Sequence, residues 1–469
     1  MAVTLLLPFT FAMPPGIGLM LLMAIYTASV YGGSISAILI NTPGTGSSAA
    51  TAIDGYQLTL KGRGAQALRI STFASGLGGV VSALALILLA PPLSRVTLLF
   101  GPPEYFLLAC LGLSAVATLA ANSLAKGILA AVFGLFLACV GLDFSFGRPR
   151  FTLGIMELES GISFIPALIG LFALSEVLRM TENRFASEAK PAAFQNDRIF
   201  PSSAELSGLW PTFGRGSIIG TIIGILPGAG AEIGSWITYN VESRVAKGRQ
   251  EIGHGSLVGV AASEVANNAV TGAALIPLFT MGIPGSSVAA IILGGLLIHG
   301  LVPGRELFTE YADVAYTAML GFLIANVLML IYGLVLIKPF SQVTKLPRRF
   351  LAPIIVMLCF IGAYAINNSF FDVGIMVVFG FIGYVLQKGG FHPAPIVLAM
   401  ILGPMAESRF LQMYSLSDGS VISYMFTRPI SLILIGLIVI FLISPMFFKN
   451  VQQGPSVAIQ EKDEKGSAQ

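Results

Sequence analysis

The sequence predicts an all-α, polytopic membrane protein with an internal repeat of two halves. Of its 469 residues, 55% are hydrophobic and 10% are charged, whereas a soluble domain carries about a quarter charged residues. Apolar runs of ~20 residues recur along most of the chain, which is enough for roughly ten to twelve transmembrane segments. Several of these runs are interrupted by Pro-Gly motifs, which predicts broken or re-entrant helices.

Several functional classes find no support in the sequence. The net charge is only +3, and no basic stripe of the kind that nucleic acid requires is present. His254, His299 and His392 stand alone, without the spacing of a metal or catalytic cluster. No nucleotide-binding fingerprint follows a strand. We therefore expect neither an enzyme nor a bound cofactor or metal, apart from a co-transported cation.

The pattern of apolar and polar stretches divides the chain into four parts. Residues 1–180 form an N-terminal membrane half, 181–212 a polar linker, 213–448 a C-terminal membrane half, and 449–469 a polar tail. One interruption lies in the first half and two lie in the second. The breaks are predicted at 41–48, 226–232 and 282–287.

The first break lies inside the stretch Tyr31–Ala65. This stretch begins like a transmembrane helix, breaks after residue 40, and restarts at Ser47 as a second apolar segment. Lipid cannot satisfy the freed backbone groups, so such a break is tolerated only where protein or a cavity covers it. Broken helices in two halves of a chain are a sequence pointer to the central site of a transporter.

The breaks resemble one another in sequence. GGSISAILINTPGTGS, from Gly32, aligns with GSIIGTIIGILPGAGA, from Gly216, at an offset of 184 residues. A third relative is MGIPGSS, from Met281, in which PGSS resembles the PGTGSS of the first break. These similarities favour an internal repeat over chance matches among Gly, Pro and Ser.

Longer motifs carry a resemblance to a known family. They are YGGSISAILINTPG with AIDGYQLTLKGRG, GILPGAGAEIGSW, ASEVANNAVTGAALIPLFTMGIPGSS and FGPPEYF. Together they resemble the TctA-type permeases, the large membrane subunits of bacterial tripartite tricarboxylate transporters. The resemblance implies a multi-pass, cation-coupled secondary transporter of the bacterial inner membrane. It also implies two partners, namely a small four-helix membrane subunit (TctB-type) and a periplasmic solute-binding protein (TctC-type) that delivers a carboxylate.

The sequence departs from this family at its start. Members usually have another helix and an LPG-x-G motif upstream of a stretch like TVTLLLPFTF, whereas here Met1 falls just before that stretch. The resemblance then implies that Pro43-Gly44 pairs with Pro284-Gly285, and that the offset of 184 records similarity among all the breaks. We expect either a misplaced start or a truncated copy that does not transport.

The substrate implied by the resemblance is a citrate-like di- or tricarboxylate, yet no Lys or Arg lies in the middle of an apolar run. We therefore expect helix N-termini and hydroxyl groups to bind it. The alternative is that the serines bond to their own helices and the glycines serve packing. The predicted substrate-binding residues are Asn41, Thr42, Gly44, Thr45, Gly46, Ser47, Ser48, Gly285, Ser286 and Ser287.

A coupling cation would supply the charge that balances the substrate. Oxygen ligands suit Na⁺, and unwound backbone carbonyls coordinate it in comparable folds. The predicted cation-binding residues are Pro43, Gly228, Gly230, Glu264, Asn267 and Asn268. Asp54 and Glu232 are further ionisable candidates, and for them helix capping or exposure to water is the structural alternative.

Other interpretations stay open at this point. If a proton replaces Na⁺, Glu264 becomes its natural carrier. A channel, a membrane-embedded enzyme and a non-transporting membrane scaffold are the alternatives to a permease. Uphill accumulation of a carboxylate would exclude the channel. The sequence also leaves open whether the protein forms a homo-oligomer.

Overall fold

The computed structural model describes most of the chain, with several gaps. The described residues are 2–96, 99–119, 124–143, 147–182, 200–226, 230–246, 249–337, 339 and 348–452. Within them almost every element is a helix, which confirms the predicted all-α fold. One antiparallel pair of two-residue strands, β1 (Gly141–Leu142) and β2 (Pro149–Arg150), places Gly141 opposite Arg150.

The helices before residue 200 include both arms of the first break. They are α1 (Ala2–Leu6), α2 (Pro15–Ile40), α3 (Ala49–Leu60), α4 (Gly64–Val96), α5 (Pro102–Leu119), α6 (Leu124–Ala138), α7 (Phe164–Leu168) and α8 (Ser175–Glu182). A π-helical segment, Ile169–Leu174, joins α7 to α8. Short 3₁₀ segments lie at Leu7–Ala12, Gly46–Ser48 and Met156–Leu158.

The helices after residue 200 include the other two breaks. They are α9 (Ser203–Ser207), α10 (Trp210–Ile225), α11 (Gly230–Val245), α12 (Leu257–Ala273), α13 (Leu275–Met281), α14 (Ser287–Ile298), α15 (Arg305–Thr309), α16 (Ala312–Val335), α17 (Arg348–Asn367), α18 (Phe370–Lys388), α19 (Ala394–Leu416), α20 (Val421–Phe426) and α21 (Pro429–Gln452). A further 3₁₀ turn spans Arg249–Glu251.

Several helices have the length and composition of membrane spans. Among the described residues, 5 helices are long and apolar enough, and further apolar helices of 10–17 residues accompany them. The long ones are Pro15–Ile40, Gly64–Arg95, Ala312–Val335, Phe370–Lys388 and Ala394–Leu416. Several of the expected spans are therefore shorter apolar helices, including the half-helix α14 at the third predicted break.

The predicted linker and tail are only partly described. Residues 183–199 and 453–469 lie outside the described part of the chain. Helix α10 begins at Trp210, inside the range that the sequence predicted as linker, and α21 continues to Gln452 in the range predicted as tail.

The first break has a specific backbone geometry. Helix α2 ends at Asn41, which is left-handed with a φ of 52°. The N–H of Thr42 donates to the carbonyl of Ser36 at 3.3 Å, and the N–H of Gly44 donates to the carbonyl of Gly33 at 3.1 Å. A left-handed residue commonly ends a helix, and here the hydrogen bond that follows it spans one residue more than the 6→1 bond of a Schellman motif.

The third break repeats this geometry. Helix α13 ends at Gly282, which is left-handed with a φ of 74°. The N–H of Ile283 donates to the carbonyl of Pro277 at 3.3 Å, and the N–H of Gly285 donates to the carbonyl of Ala274 at 3.2 Å. Both bonds span the same number of residues as those of the first break.

The half-helices that follow these two breaks also end alike. Helices α3 and α14 each contain 12 residues. Gly62 and Gly300 then adopt φ angles of 74° and 70°. Each donates its N–H over 3.0 Å, Gly62 to the carbonyl of Thr59 and Gly300 to that of Leu297.

The chain thus contains two broken-helix units of like design. The first broken-helix unit comprises α2, α3 and α4 (residues 15–96), and the second comprises α12 to α16 (residues 257–335). The break at 41–48 corresponds to that at 282–287, as the family resemblance implied. The offset of 184 is not the structural one, because α10 ends on Leu226 in an extended rather than a left-handed conformation.

The two units pack crosswise. Helix α4 of the first packs against α12 of the second, and α16 of the second packs against α2 of the first. At the crossing the amide of Asn268 donates to the hydroxyl of Thr27 over 3.0 Å. These two residues are separated by the same 241 positions that separate Asn41 from Gly282. Equivalent positions of the two units therefore meet at the centre of the described structure.

One irregularity distinguishes the second unit. The helix corresponding to α2 is divided into α12 and α13 around Ala274. Pro277 explains the division, because a proline cannot donate to the carbonyl four residues earlier and clashes with it.

Candidate functional site

The three breaks lie close together. The N–H of Gly230, the first residue of α11, donates to the carbonyl of Gly285 over 3.3 Å. A Cβ added at Gly46 would overlap the carboxylate of Glu232, so the first break also touches the first turn of α11. The N-terminal ends of α3, α11 and α14 therefore converge on one place.

This junction has a positive electrostatic character. Each helix N-terminus acts as roughly half a positive charge and presents unpaired N–H groups. Glu232 is exposed there, and the described residues give its carboxylate no hydrogen bond. A carboxylate of the protein thus lies against the first break, where an anionic ligand would be attracted.

The first break exposes most of the residues that the sequence proposed for substrate binding. Asn41, Thr42, Gly44 and Gly46 are exposed, as is Pro43, one of the cation candidates. Thr45 is half-buried. These positions are consistent with ligand contact through backbone groups and the hydroxyl groups of the two threonines.

Ser47 and Ser48 are buried and belong to the internal structure of the break. The N–H of Thr45 donates to the hydroxyl of Ser48 at 3.2 Å, which in turn donates to the carbonyl of Thr45 at 2.8 Å. The hydroxyl of Ser47 lies 3.0 Å from that of Thr45. Such local bonds satisfy the start of the half-helix, so these serines position the break.

Ser286 likewise stabilises the start of the half-helix at the third break. It is the N-cap of α14, where its hydroxyl accepts from the N–H of Ala289 over 3.1 Å. The hydroxyl of Tyr26 lies 3.0 Å from it. Gly285 is buried, whereas Ser287 is half-buried at the first position of α14.

The proposed cation ligands at the breaks are dispersed. Gly228 lies outside the described residues. Gly230 contacts the third break as described above, and Pro43 lies in the exposed first break. The structure does not bring Pro43 and Gly230 into one coordination sphere with Glu264, which is fully buried in α12.

Glu264 lies instead in a cage of hydroxyl groups. Its carboxylate accepts from Ser34 at 2.6 Å, from Ser75 at 2.8 Å and from Ser71 at 3.3 Å, and also from Thr51. All five side chains are buried. Among the described residues no cationic side chain forms an ion pair with Glu264. We call these five residues the Glu264 cage.

Asn267 and Asn268 follow on the same helix and are both fully buried. Asn268 donates to Thr27, as described above, while its side-chain oxygen has no partner in the described structure. Both polar atoms of the Asn267 amide are likewise without a hydrogen bond there. Burial of unpaired amide groups costs free energy.

Sequence reasoning identified Glu264 but missed the other four members of the cage. Ser34 and Thr51 come from the two arms of the first break, and Ser71 and Ser75 come from α4. The latter two lie four residues apart, hence on one face of an apolar helix. Two serines on one face of an apolar helix indicate that this face contacts a polar group. The spacing does not reveal that the polar group is Glu264.

Asp54 has a structural role. Its buried carboxylate accepts from the hydroxyl of Tyr239 at 2.8 Å and from the N–H groups of Gly253, Gly255 and Ser256 at 2.8–2.9 Å. It therefore ties α3 to α11 and to the start of α12. Asp54 thus neither caps the N-terminus of a half-helix nor faces water; it accepts from the backbone of the loop that leads into α12.

A groove elsewhere is not suited to an anion. It has a volume of about 720 Å³ and lies between α2 and α16. Its lining is mainly apolar, with Ala24, Ala28, Leu328 and Met329 among the residues.

The helices and the paired breaks define a polytopic membrane protein built from two crossed broken-helix units. Residues 1–398 match the Tripartite tricarboxylate transporter TctA family, and the chain belongs to that family. The resemblance found in the sequence is thereby confirmed, and the family is one of transporters.

Two relatives from Agrobacterium vitis are similar to this chain. One, described as an uncharacterized 52.8 kDa protein in the TAR-I ttuC' 3' region, is 39% identical over 437 residues, covering 93% of this chain and 86% of the relative. The other, an uncharacterized protein in the TAR-II ttuC' 3' region, is 38% identical over 218 residues, covering 46% of this chain and 90% of the relative. No solved structure matches the chain.

Proposed function

We propose that this chain is the large membrane subunit of a binding-protein-dependent secondary transporter that imports citrate-like di- or tricarboxylates with Na⁺. The observation that carries the proposal is the convergence of the α3, α11 and α14 N-termini at Gly46, Gly230 and Gly285. Half-helix N-termini that point at an anionic group are the means by which secondary transporters bind carboxylates in the membrane.

The charge at this junction indicates why a cation is needed. Three helix N-termini supply about 1.5 positive charges, whereas a di- or tricarboxylate carries two or three negative ones. A ligand with excess negative charge is costly inside a membrane. Co-transport of Na⁺ supplies the balance.

The residues at the breaks divide into two groups. The exposed backbone from Asn41 to Gly46, the hydroxyls of Thr42 and Thr45, and the start of α14 at Ser287 contact the substrate. Ser47, Ser48 and Ser286 act indirectly, because their hydroxyls hold the half-helices in place. Gly44 and Gly285 permit the close backbone approaches on which this geometry depends.

Membership of the TctA family supports the proposed partners and location. A TctB-type small membrane subunit and a TctC-type periplasmic solute-binding protein complete the system, and the complex lies in the bacterial inner membrane.

A proton as coupling ion is the second candidate. The observation that favours it is the complete burial of Glu264 with only hydroxyl partners, since a carboxylate in a membrane is a natural proton carrier.

Uptake into proteoliposomes tests the proposal. The vesicles contain this chain with its small membrane subunit, and the binding protein is added outside with radiolabelled citrate or a dicarboxylate. We expect accumulation that requires the binding protein and an inward Na⁺ gradient at constant pH. Accumulation driven by a pH gradient without Na⁺ would favour the proton, and equilibration without accumulation would favour a channel.

A further inference from the structure

The Glu264 cage joins both arms of the first break to the centre of the protein. Ser34 lies in α2, two turns before the break, and Thr51 lies in α3, one turn after it. Both donate to the same oxygen of Glu264, while Ser71 and Ser75 donate to the other. The position of α3 relative to α2 therefore depends on what the carboxylate binds.

Among the described residues, the equivalent place behind the third break has no such cage. Before each break, equivalent positions differ by the same 241 residues as Asn41 and Gly282, which pairs Met23 with Glu264 and Ser34 with Leu275. After the break, the starts of α3 and α14 differ by 238 residues, which pairs Thr51 with Ala289. These three equivalents are fully buried and belong to one hydrophobic core. In α16, which corresponds to α4, the buried positions before Asn326 are Ala315, Ala318, Met319, Gly321 and Phe322.

This difference concerns charge as well as polarity. The apolar side chains at the equivalent positions behind the third break offer a cation no oxygen ligand, and burial of an ion there would carry its full desolvation cost. Behind the first break, four hydroxyl oxygens of the first unit and the carboxylate of Glu264 from α12 are buried together. A monovalent cation bound there would neutralise Glu264 and accept the hydroxyl oxygens as ligands, since hard cations prefer oxygen.

From this asymmetry we infer that the Glu264 cage is the coupling site of the transporter and holds one Na⁺ per chain. The inference rests on the proposed function and deepens it. Sodium in the cage draws Ser34 and Thr51 to one centre and so fixes the two arms of the first break. The N-terminal start of the second arm at Gly46 is then ordered for the substrate, so Na⁺ and carboxylate bind cooperatively. The equivalent positions, Met23, Leu275 and Ala289, bind no ion and only pack the helices together.

The principal test uses the purified complex and the variant Glu264→Gln. Binding of radiolabelled citrate is titrated at several Na⁺ concentrations, and binding of ²²Na⁺ is counted per chain. We expect one Na⁺ per wild-type chain and a citrate affinity that rises with Na⁺. The neutral glutamine mimics the cation-bound charge, so the variant should bind citrate without regard to Na⁺ and should lose accumulation.

A matched control is Met23, the residue of α2 that is equivalent to Glu264 of α12. Met23→Leu conserves volume and should leave the Na⁺ stoichiometry and the Na⁺ response of citrate binding unchanged. Thermal unfolding of each variant in detergent shows whether it is folded.

A milder pair keeps the test decisive if Glu264→Gln does not fold. Thr51→Ala removes one hydroxyl ligand and should weaken Na⁺ binding about tenfold, whereas Ala289→Ser at the equivalent position of α14 should not change it. Unchanged Na⁺ affinity in Thr51→Ala, two Na⁺ per wild-type chain, or an unaltered Na⁺ response in Glu264→Gln would each overturn the inference.

The outcomes separate this inference from the proposed function. If the wild-type complex transports carboxylate with Na⁺ while the cage variants behave normally, the function stands and the cage assignment is wrong. If no carboxylate is bound or transported, the function is wrong. If ²²Na⁺ then still binds stoichiometrically and depends on Glu264, the cage is a cation site but not the coupling site of a carboxylate transporter.

Discussion

The two broken-helix units share a backbone design and differ in what they bury. Asn41 and Gly282 end their helices in the same left-handed conformation, and Gly44 and Gly285 return to the preceding helix by equivalent hydrogen bonds. Behind the first break, however, hydroxyl groups of the first unit surround the carboxylate of Glu264 from α12, whereas the equivalent positions behind the third break carry apolar side chains.

The comparison teaches that break geometry and site chemistry are separate properties. The geometry follows from a few local features, namely a residue that tolerates the left-handed region and glycines that permit close approach. The chemistry follows from side chains two turns away on several helices. One backbone design therefore serves in one unit as a polar site and in the other as a packing element.

The largest expected effect concerns how the half-helices are anchored. Asp54 anchors α3 through four hydrogen bonds, whereas its equivalent in α14, Ile292, is anchored by apolar packing. Asp54→Ala leaves three buried N–H donors without an acceptor and should cost roughly 3–5 kcal/mol, against about 0.5–1.5 kcal/mol for Ile292→Val. Thermal or denaturant unfolding in detergent compares them. Equal losses would show that the two half-helices are anchored alike.

The next effect tests the close approaches at the two breaks. A Cβ at Gly285 would lie 2.8 Å from the Cα of Ala274 and 2.8 Å from the carbonyl oxygen of Gly224, and one at Gly44 would lie 2.7 Å from the Cα of Gly33. Gly285 is buried between helices, so Gly285→Ala should cost about 1–3 kcal/mol. Gly44 lies in an exposed segment that has room to shift, and its alanine variant should be more stable than Gly285→Ala.

Uptake should nevertheless fall in both glycine variants, because each displaces a half-helix N-terminus. Normal uptake by Gly44→Ala would remove the first break from the substrate site.

A smaller effect concerns Glu232, which lies against Gly46 of the first break. Its carboxylate competes with the substrate for the positive helix ends. Glu232→Gln should therefore raise citrate affinity about threefold in equilibrium binding. A fall in affinity would instead indicate that Glu232 binds a cation together with the substrate.

The smallest effect is expected from exchanging the two helix-ending residues. Asn41→Gly should change stability by less than about 0.5 kcal/mol, since glycine adopts the left-handed conformation readily. Gly282→Asn should cost at most about 1 kcal/mol. Both variants should transport carboxylate, as measured by uptake. Loss of uptake in Asn41→Gly alone would show that the Asn41 side chain contacts the substrate.

The sequence by itself determined the membrane class and the positions of the breaks. Hydropathy and the Pro-Gly motifs are local properties, and the αL residues and glycines at 41–44 and 282–285 act within a few residues of themselves. Ser34, Thr51, Ser71 and Ser75 could not be assigned in the same way, because serine and threonine are ordinary residues of membrane helices.

Only the tertiary structure decided what surrounds Glu264 and what Asp54 does. Glu264 is 230 residues from Ser34 and Asp54 is 185 residues from Tyr239, and no local pattern encodes such distances. The crossed packing of α4 on α12 brings these groups together. Whether a buried carboxylate is a site or an anchor depends on its partners, which only the folded chain supplies.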